Sequence, residues 1–131
     1  MDATRSRPAI VVADDDLLFS SRISAALESL GYRPIVVRSP DAFRRELLLA
    51  PVGGIVNLAM RRFDAAAAIQ DAKGDAGTRR VPLLGFCGHR DAGRQAAARE
   101  AGCDMVVTNG TISVALERLL HSLLTHDRHE S

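Results

Sequence analysis

Five short apolar runs, spaced too widely for hairpins, constrain this chain more than any other feature. They are Ala9–Ala13, Pro34–Val37, Gly53–Leu58, Val81–Phe86 and Met105–Val107, and their starts lie 25, 19, 28 and 24 residues apart. A two-residue turn cannot cover such gaps, but a crossover helix can. The runs are continuous rather than alternating, as strands covered on both faces should be.

The segments between them carry helical periodicity. Asp16 is a natural N-cap, and beyond it Phe19, Ile23, Ala26, Leu27 and Leu30 share one face before Gly31 stops the turn. Pro40–Ala50 places Phe43, Leu47 and Ala50 at helical spacing, with Pro51 beyond. Asp64 precedes four alanines, Ala65–Ala68, and Gly74 closes that helix. Asp91–Ala101 is rich in Ala and Arg and weakly amphipathic, and Gly102 ends it. Ile112, Ala115, Leu116, Leu119 and Leu123 give the clearest amphipathic stripe. A βα unit repeated five times predicts one doubly wound α/β domain over 8–124, with short flexible termini at 1–7 and 125–131.

In such a sheet, ligands sit beyond the carboxyl ends of the strands. Chemistry is therefore expected at Ala13–Asp16, Leu58–Asp64, Cys87–Asp91 and Thr108–Gly110. Composition narrows the classes. The 131 residues are 47% hydrophobic with a net charge of +1, so no nucleic-acid or membrane partner is called for. The two cysteines, Cys87 and Cys103, fit no zinc spacing. The N-terminal residues lack an apolar signal core, which points to a reduced, cytoplasmic setting.

Asp14, Asp15 and Asp16 read in two ways. They form either an acidic helix start favoured by the dipole, or adjacent carboxylates for a hard cation. The surrounding stretches VVADDDLLFSSRISAALESLGY, IVNLAMRRFDAAAAIQDAKG, VPLLGFCGHRD and AGCDMVVTNG, in that order, resemble the receiver domain of bacterial response regulators. The resemblance spans about Pro8 to Leu124. It implies the flavodoxin-like fold, a five-stranded parallel sheet of order 2-1-3-4-5 with helices on both faces. It also implies a magnesium-assisted transfer of phosphate to an aspartate.

The departures matter as much as the match. Where the family has its phosphoacceptor Asp, this chain has Asn57, whose amide is no nucleophile. The family's Thr or Ser corresponds to Cys87 and its Lys to Asn109, which removes a hydroxyl donor and a cation. The Pro after that Lys corresponds to Gly110, and the switch aromatic of the fifth strand to Val106. The Pro and Gly of the loop after the third strand correspond to Arg61 and Ala65. Only Asp14 and Asp15 remain of the reaction site, and they are expected to hold magnesium weakly at best.

The resemblance and its losses imply a phosphorylation-independent, non-enzymatic signalling protein in a bacterial two-component or related pathway. It would work by binding another protein. The alternative is a sensor that takes a small molecule into the emptied acidic pocket. Arg61 or Arg62 is expected to fold over that pocket and pair with an aspartate. The interaction face implied by the family joins the fourth helix, fifth strand and fifth helix, with Arg90, Arg94, Arg99 and Val106, and would serve a partner or a second copy. Cys87 and His89 lack an orienting third group, so catalysis there is disfavoured. A Cys87–Cys103 bridge fails on distance, roughly 15 Å in parallel pairing. Arg44-Arg45 and Arg79-Arg80 read as solvated surface.

Overall fold

The computed structural model describes residues 6–129, with side chains through Thr125. Met1–Arg5, Glu130 and Ser131, which belong to the termini expected to be flexible, lie outside the described residues. The elements alternate strictly. They are β1 (Ala9–Ala13), α1 (Leu17–Ser29), β2 (Arg33–Val37), α2 (Pro40–Leu47), β3 (Gly53–Asn57), α3 (Ala65–Gly74), β4 (Leu83–Cys87), α4 (Ala92–Glu100), β5 (Met105–Thr108) and α5 (Asn109–His129). The five strands pair in parallel in the order β2-β1-β3-β4-β5. This is the architecture expected from the spacing and the resemblance.

The pleat divides the core in two. Val11, Ala13, Val56, Leu83 and Cys87 pack under α2, α3 and α4 with Phe43, Leu47, Ile69 and Ala98. Their neighbours Ile10, Val12, Ile55, Leu84 and Phe86 pack under α1 and α5 with Ile23, Leu27, Ile112, Leu116 and Leu120. Strands buried on both sides have no polar face to present, which is why their sequences run apolar without alternation. Two glycines permit close layers. A Cβ on Gly54 would stand 2.7 Å from Leu83 Cδ2, and one on Gly85 would stand 2.8 Å from Leu58 Cδ2.

Helix starts follow the sequence. Asp16, Ser39, Asp64 and Asp91 each accept a hydrogen bond from the backbone N–H three residues on. Gly31 and Gly102 take positive φ at the exits of α1 and α4.

Three boundaries depart from the periodicity. α2 stops at Leu47, so Ala50 is not on its apolar face; it takes φ 57°, a left-handed turn into β3. At Thr108–Gly110, where chemistry was expected at a strand end, β5 runs straight into α5 and the Thr108 hydroxyl accepts from Thr111 N–H at 3.2 Å. Within α5, Ala115 is non-helical (φ −129°, ψ 23°), and past this kink Leu120 rather than Leu119 is fully buried. The helix continues to His129, into the segment expected to be flexible.

A polar clasp joins α3 to the edge of the sheet. The Lys73 ammonium meets Asp104 Oδ2 at 2.7 Å and donates to the carbonyls of Val81 (2.8 Å) and Arg79 (3.2 Å). Asp104 in turn accepts from Leu83 N–H at 2.8 Å. Among the described residues no helix is long and apolar enough to cross a membrane.

Candidate functional site

The carboxyl ends of β1 and β3 lie side by side, with Ala13 paired to Val56. Asp14 and Asn57 therefore leave adjacent strands together. Asp14 is fully buried, and its Oδ1 accepts from Asn57 Nδ2 at 2.9 Å and from Asp16 N–H at 3.0 Å. Its Oδ2 is buried with no hydrogen-bond partner. Burial raises the Asp14 pKa, against the lowering effect of the bonds from Asn57 and Asp16. The Asn57 amide is held from the other side as well, since its Oδ1 accepts from Ala59 N–H at 2.9 Å. The side chain thus spans from the acid to the turn after β3, and its NH2 supplies the positive pole beside Asp14.

Asp15 is engaged by a neighbouring loop. Its Oδ2 accepts from Arg61 N–H at 2.9 Å. Arg61 therefore reaches Asp15 by its main chain, not by the guanidinium pairing that was expected. Both Arg61 and Arg62 are exposed, and among the described residues neither guanidinium pairs with Asp14 or Asp15. A peptide N–H is already fixed by the turn, whereas a guanidinium would have to give up side-chain entropy for an exposed contact of little value.

The remaining expected positions cluster less tightly. Cys87 ends β4 beside Thr108 of β5, and its buried thiol makes a long contact, 3.9 Å, to Asp91 O. Burial and then the Asp91 carboxylate push its pKa up, so it stays a thiol. Cys103 is pushed to about 11, chiefly by burial, and both cysteines are free. Asn109 is exposed as the first residue of α5, and among the described residues the hydrogen bonds of the acids do not include it. On α4 only Ala98 is fully buried. Arg90 and Arg99 are exposed, and Arg94 pairs with its own cap Asp91 at 2.7 Å. Val106 is partly buried against the α2–α4 side of the core.

The magnesium site implied by the resemblance can be tested on these contacts. Oδ1 of Asp14 already accepts two N–H bonds, Asp15 is bonded to Arg61 N–H, and position 57 offers an amide rather than an anion. Among the described residues no group of three or more His, Cys, Asp or Glu side chains could hold a metal. The arrangement does not suit a magnesium ion.

No family model matches the chain, and no curated protein matches it. Solved structures do. The signal receiver domain of a signal transduction histidine kinase from Syntrophus aciditrophicus superposes with a TM-score of 0.80 at 24% identity, covering 91% of each chain. The receiver domain of a sensor histidine kinase from Pseudomonas aeruginosa PAO1, described with magnesium coordinated in its active-site cleft, gives 0.82 at 20% identity over 92% of this chain and 99% of its own. A chemotaxis response regulator of Vibrio cholerae gives 0.79 at 12% identity over 91% of this chain and all of its own. The fold is that of a receiver domain. On this receiver fold the acidic pair and Asn57 occupy the carboxyl edge of the sheet, where a doubly wound fold presents its ligands.

Two contributions at this edge were not read from the sequence. The main-chain donors of Ala59 and Arg61 carry no side-chain signature, so no pattern announces them. Thr108, hydrogen-bonded to Thr111 Oγ1 at 2.9 Å, could have been found as a capping Thr three residues before Thr111.

Proposed function

We propose that this chain is a receiver-like signalling domain that acts by binding another protein without being phosphorylated. One observation carries the reading. The residue at the end of β3 is an asparagine whose amide is committed to Asp14 on one side and Ala59 N–H on the other. A carboxamide cannot form an acyl phosphate, and its bond to Asp14 gives that acid a neutral partner in place of a cation. The losses at Cys87 and Asn109 point the same way, since neither supplies a strong donor to a transferring phosphoryl oxygen.

Asp14 Oδ1 and Asp15 Oδ2 are bonded to protein donors, so a ligand that engaged those atoms would have to displace them. That favours a protein-binding role over a small-molecule sensor. The surface made by α4, β5 and α5, with Arg90, Arg94, Arg99 and Val106, is the proposed contact for a partner or a second copy. Arginines among alanines let a partner approach closely and engage carboxylates bidentately.

The test combines two measurements on the full chain. Incubation with acetyl phosphate and magnesium, read by intact mass, should leave the protein unmodified. Charge reversal at Arg94 and Arg99 should abolish retention of whichever protein the parent captures from its host lysate, or self-association in sedimentation. Phosphorylation of the parent would overturn phosphorylation independence. Unchanged binding by a folded double variant would overturn the assignment of the face.

A further inference from the structure

A slot between α2 and α3 belongs neither to the acidic pair nor to the α4–β5–α5 face. Because α3 packs against both α2 and α4, it separates the slot from Arg94 and Arg99. On α2, Pro40, Phe43 and Leu47 face α3 at helical spacing, and Ala68 and Ala72 of α3 face back. The two alanines are too short to fill the space opposite Phe43 and Leu47. A cavity of about 110 Å³ remains, the share of about four water molecules in the liquid. Its floor is apolar, since Phe43, Leu47 and Ala72 are buried beneath it. Thr78 closes it with a hydroxyl already donated to Ala72 O at 2.7 Å.

Among the described residues the charged side chains lining the slot are Asp41, Arg44 and Asp71. Arg44 meets Asp75 Oδ2 at 2.8 Å, so that pair adds no net charge. Asp41 and Asp71 are exposed, and among the described residues neither has an ion-pair or hydrogen-bond partner. Asp41 stands in the first turn of α2, where the helix dipole favours an acid. Asp71 stands in the last turn of α3, the end that disfavours a carboxylate. The cation of that turn, Lys73, is committed to Asp104. The rim thus carries two uncompensated negative charges above an apolar floor, one of them at a helix end that repels it.

We propose that this slot takes a lysine side chain presented by a partner protein. The four-carbon stem lies on Phe43, Leu47 and Ala72, and the ammonium sits between Asp41 and Asp71. A long apolar stem ending in a cation uses both halves of the slot at once. Lysine suits it better than arginine, because a compact ammonium with three donors serves carboxylates from two helices, whereas a flat guanidinium matches one. The source is a protein rather than a free amine. Exposed ion pairs are worth little in open water, and a partner surface that covers the rim excludes that water. This contact and the α4–β5–α5 face are independent, so either can fail without the other.

The probe is a fluorescein-labelled octapeptide alternating alanine with lysine, titrated against the full chain by anisotropy. The same peptide with every lysine Nζ acetylated is the control. Saturable binding of the lysine peptide is expected, weakened by added salt. Asp41→Asn combined with Asp71→Asn should weaken it about tenfold or more. Ala68→Met fills the slot without changing its charge and should weaken binding as much. None of these positions is buried, and far-ultraviolet circular dichroism checks that the variants fold. In the 15N-labelled chain, amide shifts should move at residues 43–47 and 68–72 and stay fixed at Asp14–Asp16. No saturable binding into the millimolar range overturns the proposal, as does equal affinity for the acetylated peptide. Binding that survives Ala68→Met, or shifts centred on Asp14–Asp16, means general attraction to acids and overturns the slot. Equal affinity for an alanine–arginine peptide overturns the choice of lysine. Displacement of the peptide by an equal concentration of butylamine overturns a protein source.

Discussion

Replacing Asn57 by aspartate turns an attractive contact into a repulsive one, and the size of the change follows from the geometry. Asn57 Nδ2 and Asp14 Oδ1 are 2.9 Å apart. Two carboxylates at that separation repel by about 6 kcal/mol at an effective dielectric near 20. The chain can avoid most of this by binding a proton. Protonating an ordinary carboxyl at pH 7 costs about 4 kcal/mol, three pKa units at 1.36 each, and that cost is the ceiling. A protonated carboxyl introduced at this position would donate to Asp14 and recover part of the lost bond, so Asn57→Asp should destabilise by about 2–4 kcal/mol at pH 7.

The sign with pH follows by linkage. One carboxyl of the pair has its folded pKa raised, so the folded state binds more protons than the unfolded state above about pH 4. Stability therefore falls as pH rises from there towards the raised value, and the penalty vanishes below the ordinary carboxyl range. Magnesium should relieve it, by about 1.4 kcal/mol when present at ten times its dissociation constant. The assay is urea unfolding of parent and variant at pH 4, 5.5 and 7, with and without magnesium. A variant as stable as the parent at pH 7 without metal, and unresponsive to magnesium, would refute the argument that the amide replaces a cation at this site. Acetyl phosphate should still modify the variant poorly, because Cys87 and Asn109 supply neither the hydroxyl nor the ammonium.

Asp14→Asn removes a buried charge whose Oδ2 lacks a partner; it should stabilise by about 1 kcal/mol at pH 7. Because burial raises the Asp14 pKa, that gain should shrink as pH falls from the raised value towards the ordinary carboxyl range, measurable in the same unfolding series. Ala50→Gly relieves the left-handed turn and should stabilise by about 1 kcal/mol after the added unfolded-state entropy, a rise of about 4 °C in Tm by calorimetry. Lys73→Met strips three bonds from the clasp between α3 and the sheet edge and leaves Asp104 without its cation. It should cost about 2 kcal/mol in chemical denaturation, and an unchanged midpoint would show the clasp to be ornamental.

Much of the fold was legible because burial on both sides forces a strand to be apolar throughout. Ala9–Ala13 and Gly53–Asn57 could hardly be anything else once the gaps between runs demanded crossovers. Helix entries were legible for a local reason, since Asp16, Asp64 and Asp91 act within four residues of themselves. What escaped depends on contacts without local pattern. The exit of α2 rests on Ala50, a residue that favours the helix by propensity but is turned left-handed by the approach to β3. Past Ala115, Leu120 is fully in the core while Leu119 is only partly buried against it. At the site, Asp14 and Asp15 were read from the end of the first strand and Asn57 from the family resemblance, and they meet because β1 and β3 are neighbours. The use of Arg61 through its N–H was not, because its side chain carries the charge that draws attention while its peptide does the bonding.

The clasp at Lys73 also bears on the order in which the chain can be put together. During synthesis Lys73 is made long before Asp104, yet the ammonium is shared between the carbonyls just ahead of β4 and a carboxylate just ahead of β5. Until β5 arrives, the cation has two neutral acceptors and no counter-charge, and Leu83 N–H lacks its carboxylate acceptor. The arrival of Asp104 completes both at once, fastening the last strand just ahead of its first residue. A ribosome-bound chain stopped short of Asp104 should therefore hold its first four strands with a ragged, protease-sensitive α3–β4 connection. A few further residues should convert that connection to a closed one.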